Sequence, residues 1–330
     1  RISVDKPVLM WATHATTFFE EVVYRNVRRA GIPCIYFVLS WDHLSSKVVL
    51  HNDYHKIFVW NRHTRRELLD TYPDYNCDQI EVVGIPQYDS YADEPEISYK
   101  EWCAQYGLTD KKRTIVFSTM PQVRHNQQHV IIEDLLRDIK NGNLPSDLQF
   151  LIKCHPWDNF EGYEKLLGTD KPVGIRRTKL PVGEPIEHWK PKANEIEESR
   201  DCLRFCTMNI NIFSTVTIEA AFFRKPVIHI AYDPLPIEEG RIPCHLYYEM
   251  EHFKPIARSG ASIIVRSFDQ LKIAILELEK TPKMLEKAQE TLAKDFIGGN
   301  VGNASNTVCE AIRQFCGNGK RRIGNTADIC

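Results

Sequence analysis

Hydroxyls, histidines and a lone carboxylate stand at the ends of apolar runs in this chain, the position where open parallel sheets bind ligands. The densest such stretch is Met208 to Asp233, MNINIFSTVTIEAAFFRKPVIHIAYD. Asn209 to Phe213 reads as a short buried strand. Ser214 and Thr215 offer hydroxyls at a helix start, and Thr217 to Phe223 suits about two helical turns. Lys225-Pro226 ends that helix, and Val227 to Ala231 is a second strand. So compact a unit predicts a right-handed parallel crossover, with helical N–H groups aimed at an anion beyond the sheet edge. A plain structural unit with an ordinary Ser/Thr cap fits the same residues.

Other residues of suitable type end other strands. Lys153-Cys154-His155-Pro156 closes the apolar run Leu148 to Ile152, which sets His155 at a sheet edge as a phosphate partner or an acid. Glu219 follows Thr215 by four residues, on the same helix face, in an otherwise apolar helix. A carboxylate there wants a partner, and a ribose diol supplies two hydroxyl donors; a solvent-facing glutamate near a helix start is the plainer reading. Ser118-Thr119 and Arg124 follow the strand Arg113 to Ser118 and would suit a diphosphate. Earlier in the chain, Asp42, His43 and His14 follow strands and are rival bases for deprotonating an acceptor hydroxyl, although each also serves as a polar turn residue. The pairs His51/His55 and His125/His129 have a metal-compatible spacing but read as surface histidines, so no metal site is expected. Walker A, Gly-x-Gly-x-x-Gly and Gly-x-Ser-x-Gly patterns are missing from the sequence, against a P-loop NTPase, an ordinary NAD enzyme or an α/β-hydrolase.

The elements that must position these groups alternate. Strands are expected at Pro7 to Thr13, Pro33 to Leu39, Lys56 to Trp60 and Gln79 to Val83, with helices at Phe18 to Ala30 and Arg62 to Tyr72. After a linker, a second series begins: strand Arg113 to Ser118, helix Val130 to Lys140, strand Leu148 to Cys154, helix Glu161 to Leu167, strand Val173 to Arg177. Helix Glu195 to Phe205 then leads into the stretch described above. Strand Ser262 to Val265 and helices Phe268 to Lys280, Pro282 to Lys294 and Asn303 to Phe315 complete the chain, with a disordered tail after Gly317. Thr178 to Asn194 holds three prolines and reads as a long irregular loop, often a functional feature. Alternation of this kind predicts two doubly wound α/β domains facing across a cleft, the default ligand site. The expected boundaries are 1–94, a linker at 95–112, 113–300 for the donor domain, and a helix and flexible tail at 301–330.

Composition narrows the class. The chain has 330 residues and a net charge of -2, from 42 Lys+Arg against 44 Asp+Glu, which gives no nucleic-acid signature. No apolar stretch reaches bilayer-spanning length, so at most peripheral membrane contact is expected. The ten cysteines form no CxxC pair; Cys202 and Cys206 have helical spacing and read as buried thiols, which suits a reducing, cytoplasmic setting. Because the chain starts at Arg1 and enters a strand almost at once, part of the native N-terminus is expected to be missing, which would leave the first domain incomplete.

Taken together, His155-Pro156, the unit Asn211-Ile-Phe-Ser214-Thr215-Val-Thr-Ile-Glu219 and Lys225-Pro226-Val resemble the nucleotide-binding half of GT-B glycosyltransferases. The likeness is strongest to bacterial surface- and capsule-polysaccharide enzymes and to the CDP-glycerol glycerophosphotransferase group. Ser40-Trp-Asp42-His43-Leu-Ser-Ser46, Val59-Trp60-Asn61 and Gly84-Ile-Pro-Gln87 are similar to a bacterial branch of that group. The resemblance implies two Rossmann-like domains in a GT-B arrangement and a nucleotide-sugar donor held by the second domain. A polysaccharide or glycolipid acceptor would sit on the first, with no cofactor and no metal needed. Carried over, His155 would meet the donor phosphate, Ser214 and Thr215 the diphosphate, and Glu219 the ribose; Lys153, Pro156, Ser118, Thr119 and Arg124 join them as donor-binding candidates from their own positions. Asp42, His43, Ser45 and Gln87 would lie on the acceptor side. The implied activity is glycosyl transfer. A polyol-phosphate transferase, a non-hydrolysing nucleotide-sugar 2-epimerase and a non-catalytic nucleotide-sugar-binding subunit are the alternatives.

Overall fold

Two parallel sheets, each wrapped by helices, organise the chain in a computed structural model that describes residues 7–13, 18–50, 53–156, 158, 162–168, 171–177 and 192–323. The chain divides into one unit of Arg1–Asp93 with Lys294–Cys330 and a second of Glu94–Ala293.

In the first unit the strands are β1 Met10–Ala12, β2 Cys34–Phe37, β3 Lys56–Val59 and β4 Ile80–Val82, paired in that order and all parallel. They are short apolar runs, and β2 is buried along its whole length, as expected of parallel strands covered on both faces. Helix Phe18–Arg29 ends before Gly31, which takes φ +69, and helix Arg62–Thr71 starts at Asn61, whose side chain accepts the Thr64 N–H at 2.8 Å.

The chain from Lys294 onward, with its last helix Ala304–Ile323, also belongs to this unit. Asn61 donates its side-chain amide to the Phe296 carbonyl, and Asn300 donates to the Val83 carbonyl at 2.8 Å. Asp89 accepts the N–H groups of Ala304 and Ser305, both at 2.8 Å, so it caps helix Ala304–Ile323 from a distant part of the chain. Those bonds explain why the chain past Lys294 clusters here, where the sequence had suggested a donor domain reaching 300 and a separate helix and tail. The described backbone is helical to Ile323, and the rest of the expected tail lies outside the described residues.

The second unit holds six parallel strands: β5 Arg113–Ser118, β6 Leu148–Lys153, β7 Val173–Arg176, β8 Met208–Asn211, β9 Val227–Ile230 and β10 Ile263–Val265. Their order across the sheet is β10-β9-β8-β5-β6-β7. From β5 the chain winds one way through β6 and β7, then returns to β8 on the other side of β5 and winds outward again. The reversal therefore lies between β5 and β8, the topological switch point where open α/β sheets bind ligands beyond the carboxyl ends of their strands.

Residues expected to be linker are part of this unit. Helix Tyr99–Gln105 is started by a capping box between Ser98 and Glu101, and its Trp102 and Cys103 are buried with Val116, Leu151, Cys202 and Cys206. The expected helix Glu161 to Leu167 is only a 3-10 turn at Glu164–Leu166 among the described residues, because Gly162 takes φ +86 and cannot continue a helix. No described helix is long and apolar enough to cross a membrane.

Candidate functional site

A row of five polar residues crosses the second sheet near its carboxyl edge. The strand registers pair Arg176 with Lys153, Lys153 with Ser118, Ser118 with Asn211, and Asn211 with His229. Parallel partners in register share a face, so all five side chains project to one side of the sheet. Ser118, Asn211 and His229 are almost wholly buried. Buried polar groups need partners, and the elements covering this face supply them.

Asn209, two residues before Asn211 and hence on the same face, donates to the Ser118 hydroxyl at 2.8 Å and to the Val116 carbonyl at 3.1 Å. Asn211 donates to the Asn209 side-chain oxygen at 2.8 Å and to the Thr217 hydroxyl at 3.2 Å. The Thr217 hydroxyl in turn lies 3.2 Å from His229 Nε2. Burial pushes the His229 imidazole down to about 3, so the ring is neutral. At the other end of the row, Arg176 is paired with Glu195 of helix Glu195–Phe205. Between them sits Lys153. Burial pushes its ammonium down, the nearby Glu219 carboxylate opposes that shift, and Arg176 adds to it. The helix Val216–Phe222 that carries Thr217 and Glu219 thus covers the polar row directly above the switch point.

The next residues along the strands build the rim. Thr119 N–H donates to the Lys153 carbonyl at 3.0 Å, and the His155 N–H donates to the Thr119 hydroxyl at 2.8 Å. That hydroxyl donates onward to the Asp158 carboxylate at 2.6 Å. Thr119 is therefore committed to shaping the turn that carries His155 and Pro156, rather than offering its hydroxyl to a diphosphate. His155 is half-buried and pushed down to about 4, first by burial and then by the charges of Lys153 and Arg124. A neutral imidazole flanked by two cations is set to gain a proton when a phosphate arrives. Arg124 itself is exposed.

On the far side of the switch point, Phe213 adopts φ +47, unusual for a bulky residue, as the chain turns from β8 into the helix. Its ring packs on Tyr247 and Phe253, and its N–H points at the Tyr248 hydroxyl, 3.4 Å away. Thr215 occupies the cap position without a side-chain cap bond; the Ser214 hydroxyl instead accepts the Val216 N–H at 3.3 Å. The second unit thus brings Ser118, Lys153, His155, Ser214 and Glu219 to one sheet edge.

The first unit holds the remaining sequence-derived residues. Asp42 accepts hydrogen bonds from Ser40 at 2.7 Å and Lys47 at 2.8 Å. Burial alone would raise its carboxyl, but Lys47 and Ser40 hold it below the ordinary range, which makes it a poor base. His43 is buried, 2.6 Å from the Tyr36 hydroxyl, and so serves the core. Ser45 and Gln87 are exposed. His14 and His51 lie outside the described residues, as do positions 178–191 of the long loop. Glu67 was not singled out by sequence. Burial raises its carboxyl, the Ser45 hydroxyl lowers it and the Asp42 charge raises it again, so Glu67 is better tuned for proton transfer than Asp42. It sits in a helix full of charges, and nothing in its spacing marks it.

The reading of His125 as a surface histidine is corrected. His125 is 4% exposed, because its loop is folded inward before the helix Gln128–Lys140 begins, so it does not share a helix face with His129.

No protein-family model and no curated protein matches the chain. Solved structures do. A UDP-GlcNAc 2-epimerase from Neisseria meningitidis bound to UDP-GlcNAc is 15% identical, with a TM-score of 0.60 over 95% of this chain and 78% of that one. The S. aureus MnaA structure with UDP is 14% identical, TM-score 0.57, over 95% of this chain and 76% of that one. The wall teichoic acid polymerase TagF is 11% identical, TM-score 0.56, over 94% of this chain and 89% of that one. At such identities the likeness concerns architecture, and it agrees with the two parallel-sheet units described above: the chain has the GT-B fold.

Proposed function

We propose that the protein is an enzyme acting on a nucleotide-linked sugar, and that it transfers the sugar to a hydroxyl of a surface polysaccharide or glycolipid. The observation that carries this reading is the convergence of Ser118, Lys153, His155, Ser214 and Glu219 at the switch point of the six-stranded sheet. In this reading the diphosphate lies against Lys153 and His155, with Arg124 closing over it and the Ser214 hydroxyl donating to it. Glu219 takes the ribose hydroxyls. The acceptor oxygen forms a bond to the anomeric carbon as the bond from that carbon to the phosphate oxygen breaks. Negative charge then grows on the departing phosphate, where fixed cations and an imidazole N–H stabilise the transition state more than the ground state. The acceptor proton goes to a general base or to bulk water as the new bond forms.

A second reading is supported by the solved neighbours named as UDP-GlcNAc 2-epimerases, and a third by TagF. A nucleotide-release assay over a donor panel, with and without acceptor, separates them. Acceptor-dependent release of nucleoside diphosphate supports glycosyl transfer. Release of CMP from a CDP-alcohol supports polyol-phosphate transfer, and uptake of solvent deuterium into the sugar without nucleotide release supports epimerisation. If the wild type binds donors and does none of these, the enzyme reading is wrong and a binding subunit remains.

A further inference from the structure

Three ligand-type side chains outside the polar row meet where two loops of the second unit cross. His125, Asp233 and Cys244 each direct one ligand atom into a space where all three atoms lie within 4.8 Å of one another. His125 Nε2 is 3.4 Å from Asp233 Oδ1. In tetrahedral zinc geometry, with bonds of about 2.0–2.3 Å, ligand atoms stand about 3.3–3.7 Å apart, so a small rotation of the Cys244 side chain would complete three corners. Cys244 is fully buried, and the His125 side chain is 3% exposed. His125 Nε2 is buried and faces the Asp233 carboxylate without a well-formed hydrogen bond, so it is aimed into the cluster.

We propose that His125, Asp233 and Cys244 form a zinc site that staples the loop after β5 to the loop after β9. The ligand set argues for zinc: imidazole, thiolate and carboxylate together suit this borderline-soft ion, whereas magnesium and calcium prefer oxygen alone. Water fills the fourth corner. Binding displaces the Cys244 thiol proton to solvent as the sulfur lone pair bonds to the metal. The imidazole proton moves from Nε2, which faces Asp233, to Nδ1, and Nδ1 gives up the 3.4 Å contact it accepts from the Gln127 N–H. The neighbouring cation, Arg241, is engaged by Glu238 at 2.8 Å and by the Gln122 and Val123 carbonyls.

The surroundings are already organised for such a staple. Gln127 donates to the Pro236 carbonyl at 2.9 Å and accepts the Leu235 N–H at 3.1 Å, while Asn126 donates to Glu238 at 2.9 Å. The Asp233 carboxylate accepts the Cys244 N–H at 3.2 Å, which orients both ligands. The ligands therefore come from two loops that the hydrogen bonds hold in register, and the metal would fix the segment bearing the exposed Arg124. The proposal does not depend on the nature of the donor.

Elemental analysis of the full-length protein, reconstituted with zinc and dialysed, tests it. One equivalent of zinc is expected in the wild type and in His129→Ala, and less than a tenth of an equivalent, on the order of background, in Cys244→Ser and His125→Ala. Cobalt substitution should give a thiolate-to-metal charge-transfer band in the wild type that Cys244→Ser lacks, a readout independent of catalysis. Circular dichroism of the variants checks folding. Absence of zinc and of the cobalt band from the wild type overturns the proposal. So does an unchanged equivalent in folded Cys244→Ser, which would place the metal on exposed thiols such as Cys77 or Cys309.

Discussion

At the scale of single residues, His155 is the group whose charge state most constrains the proposed chemistry. Free, it is neutral at pH 7, held at about 4 by burial and by Lys153 and Arg124. A bound diphosphate favours the protonated ring, so the bound value lies above the free one. By linkage, donor affinity rises as pH falls through the bound value and levels off below about 4. Calorimetric titration of donor between pH 8 and pH 5 should show that slope in the wild type and lose it in His155→Ala. The same slope in both proteins would remove His155 from the phosphate site. Part of this was legible in the sequence, because a His-Pro after an apolar run places itself at a strand end. Asn209, Asn211 and His229 were not: they alternate with isoleucine and valine in runs that read as buried strands, and only the register shows that they form one polar row. Thr119 could not be told from a ligand-facing hydroxyl, because its partner Asp158 is distant in sequence.

At the scale of elements, the polar row makes the sheet edge sensitive to acid. His229 is neutral in the folded protein at about 3 and ordinary at 6.5 when unfolded. Its folded value is depressed, so the neutral ring's contribution is fully present above 6.5 and is lost as pH falls toward 3, at about 1.4 kcal/mol per pH unit. Urea unfolding at pH 6.5 and pH 5 should therefore show the wild type losing about 2 kcal/mol more than His229→Leu. Equal losses would mean that the ring is hydrated in the folded state. In the first unit, Gly84 takes φ +87, and an added Cβ would lie 2.3 Å from the Asn300 side-chain oxygen. Gly84→Ala should cost about 2 kcal/mol or more in thermal or urea unfolding; a change near zero would show that Asn300 can move aside. Element positions were legible from the apolar pattern at Arg113–Ser118, Glu195–Phe205 and Phe268–Lys280. The reading failed at Glu161 to Leu167, where a helical pattern of residues carries no sign that Gly162 must take a positive φ.

At the scale of the molecule, the alternation of strands and helices was enough to give two parallel α/β units, and the GT-B likeness agrees with it. The assignment of the last helix to the first unit was not accessible from sequence. It rests on side-chain bonds such as Asn300 to Val83 and Asp89 to Ala304, which join residues more than two hundred positions apart. The switch point between β5 and β8 was equally invisible, since strand order is fixed by pairing rather than by the composition of any one strand. It is nevertheless the feature on which the functional account stands. Calorimetric titration of the full chain with nucleoside diphosphates and nucleotide sugars, beside Lys153→Met and Glu219→Ala, tests that account most directly. The account predicts one-to-one binding of at least one of these ligands, weakened about ten- to a hundredfold in each folded variant. Binding of none of them to the wild type, or equal affinity in both variants, would contradict it.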